Sequence, residues 1–164
     1  MAYDSVAQGL VLTAQARGIP FAVLPGISSI DSVLCDLGVD MAPGIQIYEA
    51  TWMVAFGVQP RADVHALITQ VGTFGSFRTH YSERWDGSAL SGLLDHLRLV
   101  FPAKHIVTLV RATAFEGQST RVRSIPLEDL PTVSAEDLSG STLYIPALDA
   151  PRSDTKMIQQ FRRA

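Results

Sequence analysis

Residues from about Tyr3 to Arg17 read as a helix: Val6, Leu10, Ala14 and Arg17 fall at helical spacing, and alanine, glutamine and leucine dominate the stretch. Gly18 follows as a helix-closing glycine. The run Pro20-Phe21-Ala22-Val23-Leu24 is apolar on both alternating faces, the pattern of a buried parallel strand, and breaks at Pro25-Gly26. A helix is predicted next. Ser28 or Ser29 caps it, Asp31 lies in its first turn, and Ile30, Val33, Leu34 and Leu37 form its apolar face up to Gly38.

After a Pro43-Gly44 turn, Ile45–Tyr48 reads as a strand and Thr51–Phe56 as a short helix. His65–Val71 is a strand ended by Gly72. Leu90, Leu93, Leu94, Leu97 and Val100 give Ala89–Phe101 one apolar face, a helix that Pro102 stops. His105–Arg111 is a strand, and Thr120–Ser124 alternates as its antiparallel neighbour. Pro126–Leu130 signals a single helical turn, Ser134–Leu138 a short helix, and Ser141–Ala147 a last strand before a polar tail with room for a short helix.

The first forty residues alternate helix, strand and helix, as a parallel layer does, whereas the remainder mixes strands, helices and hairpin-like turns. These patterns predict an α/β protein with a parallel α/β unit at 1–42, a mixed-sheet lobe at 43–149 and a tail at 150–164.

Composition narrows the function classes. Apolar residues make up 47% of the 164 and charged residues 18%, enough to bury a core rather than remain disordered. The net charge is −3 and no basic run is present, so nucleic acid is not an expected partner. A single cysteine, Cys35, builds no disulfide framework, and the first ten residues lack the basic start of a signal peptide. No apolar run approaches the ~18 residues of a membrane span. A cytoplasmic protein with no membrane partner is expected.

The stretch Val23–Asp40 raises a chemical question. Pro25-Gly26 turns the chain sharply behind a strand and sets Ser28 and Ser29 at a helix start. Helix capping accounts for two such serines, and so does a ligand outside the carboxyl end of a strand, since helix N-termini favour anions. The histidines His65, His80, His96 and His105 lack metal-ligand spacing, and no metal site is expected. Cys35 reads as an inert buried thiol on the apolar side of its helix. Arg78, His80, Tyr81, Arg84 and Trp85 form a chemically varied loop, read as a solvated segment with two aromatic anchors or as a substrate-facing one. Glu49 fits either a helix-start acid or the lining of a substrate cleft.

With the strand-PGISS-helix unit followed by QVG at 70–72, LVRAT at 109–113 and STLYIP at 141–146, the sequence resembles the tetrapyrrole methylase superfamily. Those proteins are S-adenosylmethionine-dependent methyltransferases of two α/β lobes with the cofactor in the cleft between them. The wording DLGVD, GIQIYEATWM, LITQVGTFG and STLYIP is similar to the borosin-type peptide backbone N-methyltransferases. Nearly the whole chain is covered by the likeness.

The resemblance implies S-adenosylmethionine as cofactor, with Ser28, Ser29 and Ile30 near its amino-acid end. It places Gln70, Val71 and Gly72 at the adenine, Ala112 against the adenosyl group, and Pro146 completing the adenine pocket. For each, a plain structural role is the competing reading: capping, core packing or an ordinary turn.

The family's glycine-rich first strand and its Gly-Asp-Pro or Gly-His-Pro loop have no counterpart in this chain, which resembles a C-terminal portion. No catalytic residue is therefore assigned. The strand at 21–24 is expected to lack its parallel neighbours, so that self-association as a homodimer or a partner chain covers it. The expected substrate is a peptide amide, a tetrapyrrole or another small molecule. The alternative is a non-catalytic binding or dimerisation module of the same fold.

Overall fold

Leu67 and Ile68 are adjacent in sequence, yet they enter two different apolar clusters on opposite faces of one sheet. That division organises the molecule. The computed structural model describes residues 5–24, 26, 28–75, 87–113, 117–149 and 154–161.

Among these lie α1 (Ser5–Ala16), α2 (Ser29–Leu37), β1 (Ile45–Glu49), α3 (Ala50–Ala55), β2 (His65–Thr69) and α4 (Ser91–Leu97). They are followed by β3 (Ile106–Arg111), β4 (Arg121–Pro126), α5 (Ala135–Leu138), β5 (Thr142–Ile145) and α6 (Thr155–Phe161). The strands form one sheet in the order β1-β2-β5-β3-β4. β1 and β2 are parallel, β5 runs against both β2 and β3, and β4 runs against β3. The carboxyl ends of β1, β2 and β3 therefore share one edge of the sheet, together with the amino ends of β5 and β4.

Side-chain alternation sends Ala66, Ile68, Val107, Leu109, Leu143 and Ile145 to the larger cluster. There they meet Met53 of α3, Leu93 and Leu97 of α4, Phe101, and Leu127 and Leu130 of a 3-10 turn. Leu67, Val110 and Tyr144 face the other way and are covered by Val33 and Leu34 of α2. Helices thus lie on both faces. No helix among the described residues is long and apolar enough to cross a membrane.

Most elements match the sequence pattern, including the antiparallel pairing of β4 with β3. Three differ. Residues 20–24 form no strand: they run as irregular chain with Phe21, Val23 and Leu24 exposed, because no strand among the described residues supplies a ladder. The helix expected over 89–101 is a 3-10 turn (Gly87–Leu90), then α4, then i→i+3 bonds from Leu99 and Val100; the expected face is kept, with Leu90, Leu93, Leu97 and Phe101 buried. Cys35 is exposed, not buried. At about 100° per residue it lies on the side of α2 away from Val33, Leu34 and Leu37. The loop residues Arg78, His80, Tyr81, Arg84 and Trp85 lie outside the described residues.

Candidate functional site

β2 stops because of Gln70. Its backbone is left-handed (φ 62°, ψ 25°), the one positive φ at a non-glycine position among the described residues. A β-carbon makes that conformation costly, and such strain persists where surrounding structure enforces it. Here a 3-10 turn, Val71–Thr73, follows at once. Thr73 Oγ1 lies 3.2 Å from the Gln70 carbonyl oxygen and 3.1 Å from Gln70 Oε1. Val71 drops into the larger core at 1% exposure.

Gly72 packs against α5, where a β-carbon would meet the Leu138 carbonyl oxygen at 2.5 Å. Close packing against backbone thus requires this glycine independently of any ligand. Ala112 directly follows β3 at the same sheet edge and is partly buried against the cluster beneath α2. Ile30 packs against that same cluster.

Ser28 is the N-cap of α2, its Oγ accepting the Ile30 N–H at 3.1 Å. Ser29 is the first helical residue and is exposed. Gly38, at φ 62°, closes the helix with N–H bonds back to Cys35 and Leu34 carbonyls made by itself and Val39.

Pro146 falls elsewhere. It follows the carboxyl end of β5, which is antiparallel, and so sits at the opposite sheet edge from Gln70 and Ala112. Its carbonyl accepts a 2.8 Å hydrogen bond from His105 Nε2. Next to it, His65 Nδ1 accepts the Ala147 N–H at 3.1 Å, with the Tyr144 hydroxyl 2.8 Å away. A backbone amide can only donate, so Nδ1 carries the lone pair and the imidazole proton is on Nε2. Burial pushes the Tyr144 phenol above its ordinary value. These contacts clamp the exit of β5.

At the edge shared by Gln70 and Ala112, β5 contributes its amino end, Ser141-Thr142. Ser141 is buried and its Oγ donates to the Asp137 carbonyl at 2.5 Å. Pro146 and Ser141-Thr142 therefore stand at opposite ends of β5, an arrangement set by its antiparallel direction, which local pattern does not carry.

α5 is held to the same edge by charge. Arg121 pairs with Glu136 at 2.7 Å, and Arg123 pairs with Asp137, which also accepts from Ser134. The Arg121 hydrogen bond pulls the Glu136 carboxyl below its usual range. The Arg123 hydrogen bond, then that of Ser134, does the same to Asp137. Glu49 caps α3, its Oε2 accepting the Trp52 N–H at 2.7 Å.

No family model matches the chain. It is 30% identical over 149 residues to a methyltransferase/type I borosin cyclic peptide precursor of Cerrena unicolor, covering 89% of this chain and 36% of that protein. It is 32% identical over 153 residues to a type II borosin precursor of Phlebiopsis gigantea, covering 90% and 26%. The chain thus spans about a third or less of these relatives' length. Among solved structures, it superposes on uroporphyrin-III C-methyltransferase of Thermus thermophilus with a TM-score of 0.61 at 24% identity, over 90% of this chain and 60% of that one. A cobalt precorrin-4 methyltransferase gives 0.56 at 9% identity, over 90% and 60%. The chain has the fold of the tetrapyrrole methylases, and its sequence resembles the borosin-type methyltransferases of that superfamily.

Proposed function

We propose that this chain is one wall of a two-lobed, S-adenosylmethionine-dependent methyltransferase acting on a peptide backbone amide. Residues 1–42 end the parallel lobe, 43–149 form the mixed lobe, and 150–164 are a tail. The observation that carries this reading is the strained Gln70 at the carboxyl edge of β2, in a chain similar to peptide-modifying methyltransferases.

The residues suit an adenosyl group. The turn at Gln70 takes residues 70–72 out of the sheet ladder, and Ala112 keeps the end of β3, one strand beyond β5, small. Thr142 joins the proposed set because it begins β5 at the edge shared by Gln70 and Ala112, while Pro146 lies at the other end of that strand. Ser28 and Ser29, at the α2 N-terminus, are assigned the cofactor's carboxylate.

S-adenosylmethionine, when bound, supplies an electrophilic methyl group on sulfonium. The work left to this chain is alignment and exclusion of water. Acid–base groups are assigned to the other lobe. A partner layer is also supported by surface. Val6, Leu10, Phe21, Val23 and Leu24 are apolar yet exposed.

Calorimetric titration with S-adenosylhomocysteine tests the reading. Saturable binding that weakens in Ser29→Trp is expected. A folded chain that binds none supports instead a non-catalytic module of the same fold.

A further inference from the structure

The two edges of the sheet are guarded differently. β4 carries Arg121, Arg123 and Pro126, charges and a missing N–H that discourage another strand. β1 reads Ile-Gln-Ile-Tyr-Glu, with neither lysine nor proline. It pairs on one side only, with β2, and Ile45–Tyr48 make no other backbone–backbone hydrogen bond to a described residue.

Along this open edge runs a groove of about 320 Å³ between β1 and α3. Ile47, Glu49, Trp52, Met53, Phe56 and Val58 line it. Trp52 and Phe56 stack with ring centroids 4.7 Å apart and 10° between planes, at 55% and 65% exposure. Glu49 supplies the one charge in the lining. Its Oε2 takes the Trp52 N–H, and its second oxygen accepts from no described residue.

An unpaired strand edge demands backbone N–H and C=O groups. An apolar groove with an unmatched carboxylate demands an apolar side chain and a cation. An extended peptide meets both demands at once. We propose that β1 and α3 bind such a peptide as a sixth strand, with an aliphatic side chain on the Trp52–Phe56 stack and an arginine or lysine paired with Glu49.

The location extends the peptide-acceptor reading, on which this last step rests. Glu49 is in register with Thr69, the residue before Gln70. A peptide along β1 is therefore led toward the proposed methyl-donor edge, with strands spaced about 4.8 Å apart. Amides held in the ladder are unavailable for transfer, so the docked residues are a recognition segment and the methylated ones lie beyond it.

The test uses the full chain and a capped heptapeptide: arginine followed by valine and threonine alternating around one leucine. Amide NMR shifts are expected at Ile45–Glu49. N-methylation of alternate peptide amides should weaken binding about tenfold or more, and Phe56→Asp by a similar factor with circular dichroism unchanged. Glu49→Gln keeps the helix cap and should erase the preference for arginine over glutamate in the peptide.

Absence of β1 shifts at about 1 mM peptide would overturn the proposal. So would equal binding of the N-methylated peptide. Dimerisation seen by ultracentrifugation without peptide, and abolished by Phe56→Asp, would assign the edge to a second copy. Because docking needs no cofactor, failure of S-adenosylhomocysteine to bind would sink the methyltransferase reading and leave this result interpretable.

Discussion

A β-carbon on Gly72 would stand 2.5 Å from the carbonyl oxygen of Leu138 and 3.1 Å from its carbonyl carbon. Both are backbone atoms of the short helix α5, so neither can rotate away as a side chain would. Gly72→Ala is expected to destabilise the chain by about 1–3 kcal/mol, the usual cost of overpacking. Urea denaturation measures this. Unchanged stability with lost cofactor affinity would show that the glycine serves a ligand instead.

Gln70 gives the opposite sign. Its left-handed backbone costs free energy that a glycine would not incur, partly offset by glycine's extra freedom when unfolded. Gln70→Gly should therefore stabilise the chain by about 1 kcal/mol. If the Gln70 side chain also contacts the cofactor, affinity falls as stability rises. A loss of stability would mean that the Thr73 hydroxyl contacts outweigh the strain.

These two neighbours show what was legible in sequence. The apolar pattern located β1, β2, β3, β4 and β5: β2, β3 and β5 are apolar runs buried on both faces, whereas β4 alternates at an edge with Ile125 buried. It ran β2 through Val71, whereas the strand ends at Thr69 and Gln70 turns the chain; the family resemblance, not periodicity, singled out 70–72. The pattern did not show that Pro146 lies at the opposite end of the sheet from Gln70 and Ala112, because the direction of β5 is fixed by its pairing with β2 and β3, not by its own residues. It read 20–24 as a strand, because an apolar pattern records suitability for a sheet and not the presence of a neighbour. Cys35 was a smaller error: helical angles already place it opposite Val33 and Leu34. Gly72 was flagged for a ligand, and the approach of Leu138 that also requires it is a long-range contact invisible to local pattern.

The ion pairs on α5 predict an acid limit. Asp137 in the folded chain titrates below the ordinary aspartate value of 3.8, chiefly through the Arg123 hydrogen bond. A depressed folded value means that the stabilisation is complete above the unfolded value and is lost as pH falls through the folded one. Asp137→Asn should flatten that part of the curve of melting temperature against pH. Curves for variant and parent that stay parallel below pH 4 would remove the pair as a contributor. The effect should be modest and salt-sensitive, since these groups are solvated.

Cys35 offers a direct check on the placement of α2. An exposed thiol on the outer side of that helix should react with a disulfide reagent in the native chain as readily as after unfolding. Protection in the native state would indicate that α2 is rotated, or that a second molecule covers it.

The segment 19–24 separates two accounts of what covers its apolar side chains. Ile19, Phe21, Val23 and Leu24 are 52%, 45%, 49% and 83% exposed, so they contribute little to the stability of the isolated chain. Phe21→Ser with Leu24→Ser should shift unfolding by no more than about 0.5 kcal/mol each, and should reduce binding of a hydrophobic dye. Amides 20–24 should exchange with solvent at unprotected rates, because no ladder holds them. Both alternating faces of the segment are apolar, and a two-stranded ribbon between copies would leave them wet, whereas a parallel layer with its helices would cover them. Exchange protection that grows with protein concentration would favour the pair of copies. Rates independent of concentration, in a monomer, would favour a separate α/β layer as the cover.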